Sequence, residues 1–224
     1  MVSNNVSVPA HQPASVHYHT DTKYFPPLHH AHTAHAKAHK MSGQGKGDVR
    51  AAEARINALM KRSDAVEGTQ EKILSILHDT CEEEVEVRIA QLSDAGAMAV
   101  AEAIKHTTRL RLLDLRGNII GAEGGKAIGE ALHHNTSITK LNLRGNSIGA
   151  EGAKAIGETL HHNTSITKLN LSWNDIGAEG AQAIAETLHH NTSITELNLG
   201  LNDIGDEGAQ AIAETLHHNT SITE

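Results

Sequence analysis

One cysteine, Cys81, stands in a chain of 224 residues. That excludes an intramolecular disulfide and every paired-cysteine zinc motif, and it fits a reducing compartment. The residue reads as a small buried hydrophobe near the first strand. No window approaches the ~20 apolar residues a membrane-spanning helix needs, so no membrane partner is expected. Met1–Ser15 has neither a charged start nor an apolar run, the marks of a secretory signal peptide. The chain has no G-x-x-x-x-G-K-S/T phosphate loop and no H-E-x-x-H. No cofactor, no metal site and no catalytic residue are expected from motifs of that kind. The formal net charge is −8; Met1–Asp48 carries +2, so the remainder carries −10. Phosphate backbones need a basic surface, and nucleic acid is therefore not expected as a partner.

What the chain has is a repeat. ITKLNLRGNSIGAEGAKAIGETLHHNTS, Ile138–Ser165, recurs as Ile166–Ser193 and Ile194–Ser221, and another unit starts at Ile222. Looser copies precede it at Leu110–Ser137 and Glu82–Arg109. Asn118, Asn146, Asn174 and Asn202 are spaced by 28 residues, as are Leu115, Leu143, Leu171 and Leu199. A fixed period of this length predicts a solenoid, because one unit cannot bury its apolar face alone and stacked units can. Within a unit, Ile138, Leu141, Leu143, Asn146 and Ile148 follow the pattern L-x-x-L-x-L-x-x-N-x-L. Leu141 and Leu143 alternate with Lys140, Asn142 and Arg144, which predicts a short strand with one buried face. Glu151–His162 predicts a helix with Ala153, Ile156 and Leu160 on its inner stripe. Gly152 and Gly157 form helices poorly and are read as sites of close backbone approach. Asn163 is read as a left-handed residue ending the helix. The expected fold is an α/β, right-handed leucine-rich repeat solenoid, with parallel strands on the concave face and helices on the convex one.

The words LNLRGNSIGAEGAKAIGETL and their copies resemble the ribonuclease-inhibitor-like subclass of leucine-rich repeats, which also occurs in NOD-like receptors, in the Ran GTPase-activating protein and in some bacterial effectors. The resemblance covers Glu82 to the end, about two thirds of the chain. It implies the fold, whereas these families share the scaffold and differ in their partners. The function it implies is a non-enzymatic, protein-binding scaffold. The alternatives are a GTPase activator resembling that of Ran, whose catalytic residues cannot be matched here, and the repeat part of a larger receptor or effector. The expected location is the cytoplasm, with secretion into a host cell as an effector left open.

Residues 1–48 are rich in His, Ser, Thr, Asn and Pro and are expected to be disordered. If His29–His39 coiled into a helix, His32, His35 and His39 would share a face fit for zinc, copper or nickel; a soluble histidine-rich tail is the other reading. Residues 49–81 are expected to form a two-helix N-terminal cap, broken at Gly68–Thr69, with Asp48 as N-cap. A dimerisation hairpin is the competing reading. In residues 82–224, the repeat array, the first unit has Val85 and Val87 in the leucine positions and Ala90 in place of the asparagine.

The asparagine column (Asn118, Asn146, Asn174, Asn202) is read as structural, bonding backbone groups in loops that lack a strand partner. Glu123, Glu151, Glu179 and Glu207 suit helix N-termini. The copies Ile166–Ser193 and Ile194–Ser221 differ at four positions, Lys168/Glu196, Ser172/Gly200, Trp173/Leu201 and Ala178/Asp206. The first three fall on or just past the exposed side of the strand. The expected partner-binding face is therefore the concave one, through Asp114, Arg116, Lys140, Asn142, Arg144, Lys168, Asn170, Trp173, Glu196, Asn198 and Leu201. Trp173 is the only tryptophan, and the pattern offers it no core position. The uncapped C-terminal edge leads to the expectation of either end-to-end self-association or a longer natural gene product. The paired histidines ending each unit, His133–His134 through His217–His218, are expected to make stability pH-dependent.

Overall fold

The computed structural model describes residues 43–223. The expectations for residues 1–42, the histidine-rich metal pattern included, lie outside the described residues.

Two helices open the described chain, α1 (Gly43–Met60) and α2 (Thr69–Leu77), parted by Gly68 at φ 83°. Asp48 lies inside α1 and does not cap it. Gly43, Gly45 and Gly47 stand in its first turns, where glycine costs helix propensity. Extending a formed helix is easier than nucleating one, and the packed turns that follow supply the nucleus. Ala52, Ile56 and Met60 of α1 and Ile73, Ile76 and Leu77 of α2 are buried in one core with the first repeat. Val66 N–H donates to Ala90 O at 2.9 Å and Lys72 Nζ to Glu86 O at 3.0 Å. Arg55 Nε donates to Glu102 at 2.8 Å. Burial pushes the Glu102 carboxyl up, but Arg55 and Lys105 outweigh it and hold it below its ordinary value.

Then strand and helix alternate: β1 (Glu84–Glu86), α3 (Asp94–Ile104), β2 (Leu112–Asp114), α4 (Ala122–His134), β3 (Lys140–Asn142), α5 (Gly149–Leu160), β4 (Lys168–Asn170), α6 (Gly177–Leu188), β5 (Glu196–Asn198) and α7 (Gly205–Leu216). The strands form one parallel sheet in the order β1-β2-β3-β4-β5. Its register is the sequence period: Glu84, Leu112, Lys140, Lys168 and Glu196 stand in one row, and Glu86, Asp114, Asn142, Asn170 and Asn198 in another. Between them, Val85, Leu113, Leu141 and Leu169 point into the core.

Each helix lays its inner stripe on the sheet. Ala153, Ile156 and Leu160 of α5 are buried, as are Ala181, Ile184 and Leu188 of α6. A fully buried Leu or Ile contributes about 1.5–3 kcal/mol, so the stripe outweighs the weak propensity of the glycines beside it. Gly152 shows why those glycines are tolerated: a Cβ there would lie 2.5 Å from Ile148 Cγ2 and 3.3 Å from Ala122 Cα of the preceding helix. In α7, which no described unit follows, only Gly208 and Thr215 are buried, and Leu216 is exposed.

Candidate functional site

Two ladders of asparagines shape the surface. In the first, Asn118 Oδ1 accepts the amides of Ala90 and Leu92, at 2.9 and 3.1 Å, while its Nδ2 donates to Val87 O and Leu115 O, both at 2.8 Å. Asn146, Asn174 and Asn202 repeat the arrangement, each joining its own loop to the preceding one. All four are buried. The carboxamide replaces a strand partner where the strand has ended, so these side chains have no capacity left for chemistry.

The second ladder corrects a sequence reading. Asn163 is not left-handed. Its Nδ2 donates to Leu132 O at 2.7 Å and Asn135 O at 3.0 Å, and its Oδ1 accepts Ser165 N–H at 2.9 Å and Ile166 N–H at 3.1 Å. Asn135, Asn191 and Asn219 do the same. An extended backbone, φ −84° and ψ 124° at Asn135, lets the side chain fold forward over the amides two and three residues on. Asn followed by Ser two residues on, at a period of 28, was the available signal. Asp79 heads this column. It accepts from Thr107 Oγ1 at 2.6 Å, from Thr108 N at 3.0 Å and from Thr108 Oγ1 at 2.8 Å. Burial pushes its carboxyl up, yet these bonds outweigh burial and leave its pKa lowered.

The outward rows are turn formers as well as surface. Asn142, Asn170 and Asn198 each accept, through Oδ1, the amide two residues on (Arg144, Ser172 and Gly200, at 3.0–3.1 Å). Asp114 accepts the Arg116 amide in the same way. Asp114, expected on the open face, is 4% exposed. Arg116 lies 3.1 Å from its carboxylate and Arg88 3.2 Å, and together they cover it. Lys168 and Glu196 neutralise each other across β4 and β5. Lys140 and Arg144 are exposed and make no ion pair among the described residues. A shallow groove along the sheet brings together Leu112, Lys140, Asn142, Lys168, Asn170, Glu196 and Asn198.

Just beyond this row the backbone turns left-handed in every unit: Ile89 (φ 50°), Gly117 (67°), Gly145 (66°), Trp173 (59°) and Leu201 (59°). Glycine enters that region freely, whereas a side chain with a Cβ meets a carbonyl there, at a cost of about 1–2 kcal/mol. Ile89 is 76% exposed, Trp173 52% and Leu201 66%. Sequence reading missed Ile89 and its neighbour Arg88, which stand 28 positions before Gly117 and Arg116. Cys81 offers no reactive thiol: burial pushes its pKa up and the Asp79 carboxylate adds to that, against a smaller opposing hydrogen bond from Thr107.

Four stretches, 108–129, 134–157, 162–185 and 190–213, match the family model described as Leucine Rich repeat. Among solved structures the chain is similar to one titled Leiomodin-1 Actin-Binding Site 2, with a TM-score of 0.60 and 24% identity over 69% of this chain and 91% of that one. It is also similar to a tropomodulin C-terminal domain from Caenorhabditis elegans, with a TM-score of 0.58 and 16% identity over 68% and 93%. No curated protein matches it in sequence. With the sheet, the helices and the asparagine ladders in place, the chain carries leucine-rich repeats and folds as an α/β leucine-rich repeat solenoid.

Proposed function

We propose that this chain is a non-enzymatic scaffold of the ribonuclease-inhibitor-like subclass that holds a protein partner on the open face of β1–β5. One observation carries the reading. Three of the five left-handed positions hold large apolar side chains that are exposed and strained, where glycine serves the same backbone elsewhere. Strain of this kind concentrates at binding sites. Trp is also among the residues enriched at interface hot spots. Arg144, which precedes the Gly145 paired with Ser172–Trp173, and Lys140 on β3 supply positive charge with no ion pair among the described residues, which suits a partner presenting acidic and apolar groups together. Asn142, Asn170 and Asn198 keep their Nδ2 groups as outward donors. The array's acidity favours protein over nucleic acid, and the cytoplasm is the location we assign to it. Neither solved neighbour favours the GTPase-activator alternative.

The printed title of the leiomodin neighbour makes actin the first partner to test. Binding of wild type and Trp173→Ala to actin is measured by cosedimentation and by interferometry, with an Asn142→Ala/Asn170→Ala variant alongside. If actin is the partner, Trp173→Ala weakens binding at least tenfold. If actin does not bind, the same variants are compared on partners captured from extract. Captured proteins that hold all the variants equally well would sink the assignment of the open face.

A further inference from the structure

Eight histidines end helices α4–α7 in adjacent pairs, and all are exposed. Seven of them form an unbroken edge-to-face chain across four repeats. The contacts within a repeat are His133–His134 at 5.0 Å, His161–His162 at 4.9 Å and His189–His190 at 5.1 Å between ring centroids. Those between repeats are His133–His162 at 5.3 Å, His161–His190 at 5.3 Å and His189–His218 at 5.6 Å. The fold does not use these rings. Among the described residues none makes a side-chain hydrogen bond or an ion pair, and closing the helix ends falls to the asparagine that follows each pair.

An imidazole that is neutral above its free pKa of about 6.5 offers a nitrogen lone pair, a donor that suits zinc, copper and nickel. Two imidazoles on one tetrahedral zinc, with Zn–N bonds of ~2.0–2.1 Å, place their ring centroids about 5 Å apart. The inter-repeat spacing already matches that span. Each ring is exposed and turns about its Cβ–Cγ bond.

We propose that His133/His162, His161/His190 and His189/His218 are three equivalent sites for a divalent transition-metal ion, each bridging consecutive repeats. No three His, Cys, Asp or Glu side chains converge among the described residues, so each site has two protein ligands, and water completes the coordination. The surroundings grade the three. The groove beside His133 and His162 carries Glu130, Glu151 and Glu158 but also Lys105, Lys126 and Lys154, which balance them. The groove beside His189 and His218 carries Glu186 and Glu214, with Gln182 where the earlier groove has lysine. The ion is therefore held most tightly at His189/His218.

The test is titration calorimetry of the full chain with zinc chloride at pH 7.5, with melting followed by circular dichroism. The triple variant His133→Gln/His161→Gln/His189→Gln removes one partner from every bridging pair. The double variant His134→Gln/His217→Gln leaves all three pairs intact. Histidines in residues 1–42 are common to all three proteins. The expected result is a stoichiometry lower by at least one ion in the triple variant than in wild type, with the double variant like wild type. Zinc should also raise the melting temperature of wild type more than that of the triple variant. Equal stoichiometries in wild type and triple variant, with ions going only to the N-terminal histidines, would overturn the proposal.

Discussion

The second and third repeats and the fourth and fifth build the same loop with opposite materials. Gly117 and Gly145 enter the left-handed region without strain and follow Arg116 and Arg144. Trp173 and Leu201 adopt the same φ within ten degrees, follow Ser172 and Gly200, and stand exposed. The backbone bonds around them match: Gly117 donates to Arg144 O at 2.8 Å, and Trp173 to Gly200 O at 3.0 Å. The same turn thus forms around glycine in one pair of units and around a large apolar side chain in the other.

The largest expected effect comes from what the two halves share. Asn174→Ala removes a buried carboxamide that donates to Leu143 O and Leu171 O and accepts the Ile148 amide. Unsatisfied buried groups cost about 1–3 kcal/mol each, so urea denaturation should show a loss of about 3 kcal/mol or more. A loss under 1 kcal/mol would mean the loops hold themselves. Next comes binding: Trp173→Ala should cost about 2 kcal/mol of partner affinity, whereas Gly117→Ala should cost stability and not affinity. Arg144→Glu should weaken binding with a steeper salt dependence, because an exposed charge acts partly through steering.

A smaller effect has the opposite sign. Trp173→Gly should raise stability by about 1 kcal/mol by relieving the left-handed strain, while lowering affinity. A variant that loses both stability and affinity would show that the indole ring holds the loop. The smallest effect separates Asp79 from the asparagines of the array. The Asp79 pKa is lowered in the folded state, so its stabilisation is fully present above the unfolded carboxyl's pKa of about 3.9 and disappears as pH falls through the folded value. Asp79→Asn should flatten the stability profile below about pH 4. The asparagines that follow it in the column carry no such proton, and replacing Asn163 should leave the acid profile unchanged.

The period alone was enough to place Lys140 beside Lys168 and Asn142 beside Asn170, because a parallel ladder of equal units leaves only one register. It was not enough for Asp114. Strand alternation puts that residue outward, and what covers it, Arg88 and Arg116, depends on side-chain reach between units. Arg88 and Ile89 were hidden because the first unit has diverged from the others, though a step of 28 back from Arg116 and Gly117 locates them. The strain at Trp173 was also legible in principle, since a column that holds glycine twice signals a positive φ. Asn163 was assigned from helix-end statistics, while its bonds run to the neighbouring repeat and cannot be seen within one unit.

Each ladder asparagine reaches back 26 to 31 residues and no further. Within the array the asparagine links therefore all have about the same short length along the chain, and none needs a distant segment to arrive first. Folding can begin at whichever pair of units meets, and it spreads by adding one neighbour at a time. Stretched from its two ends, the array would yield in equal steps of one repeat, peeling first from α7, whose outer face is the least buried.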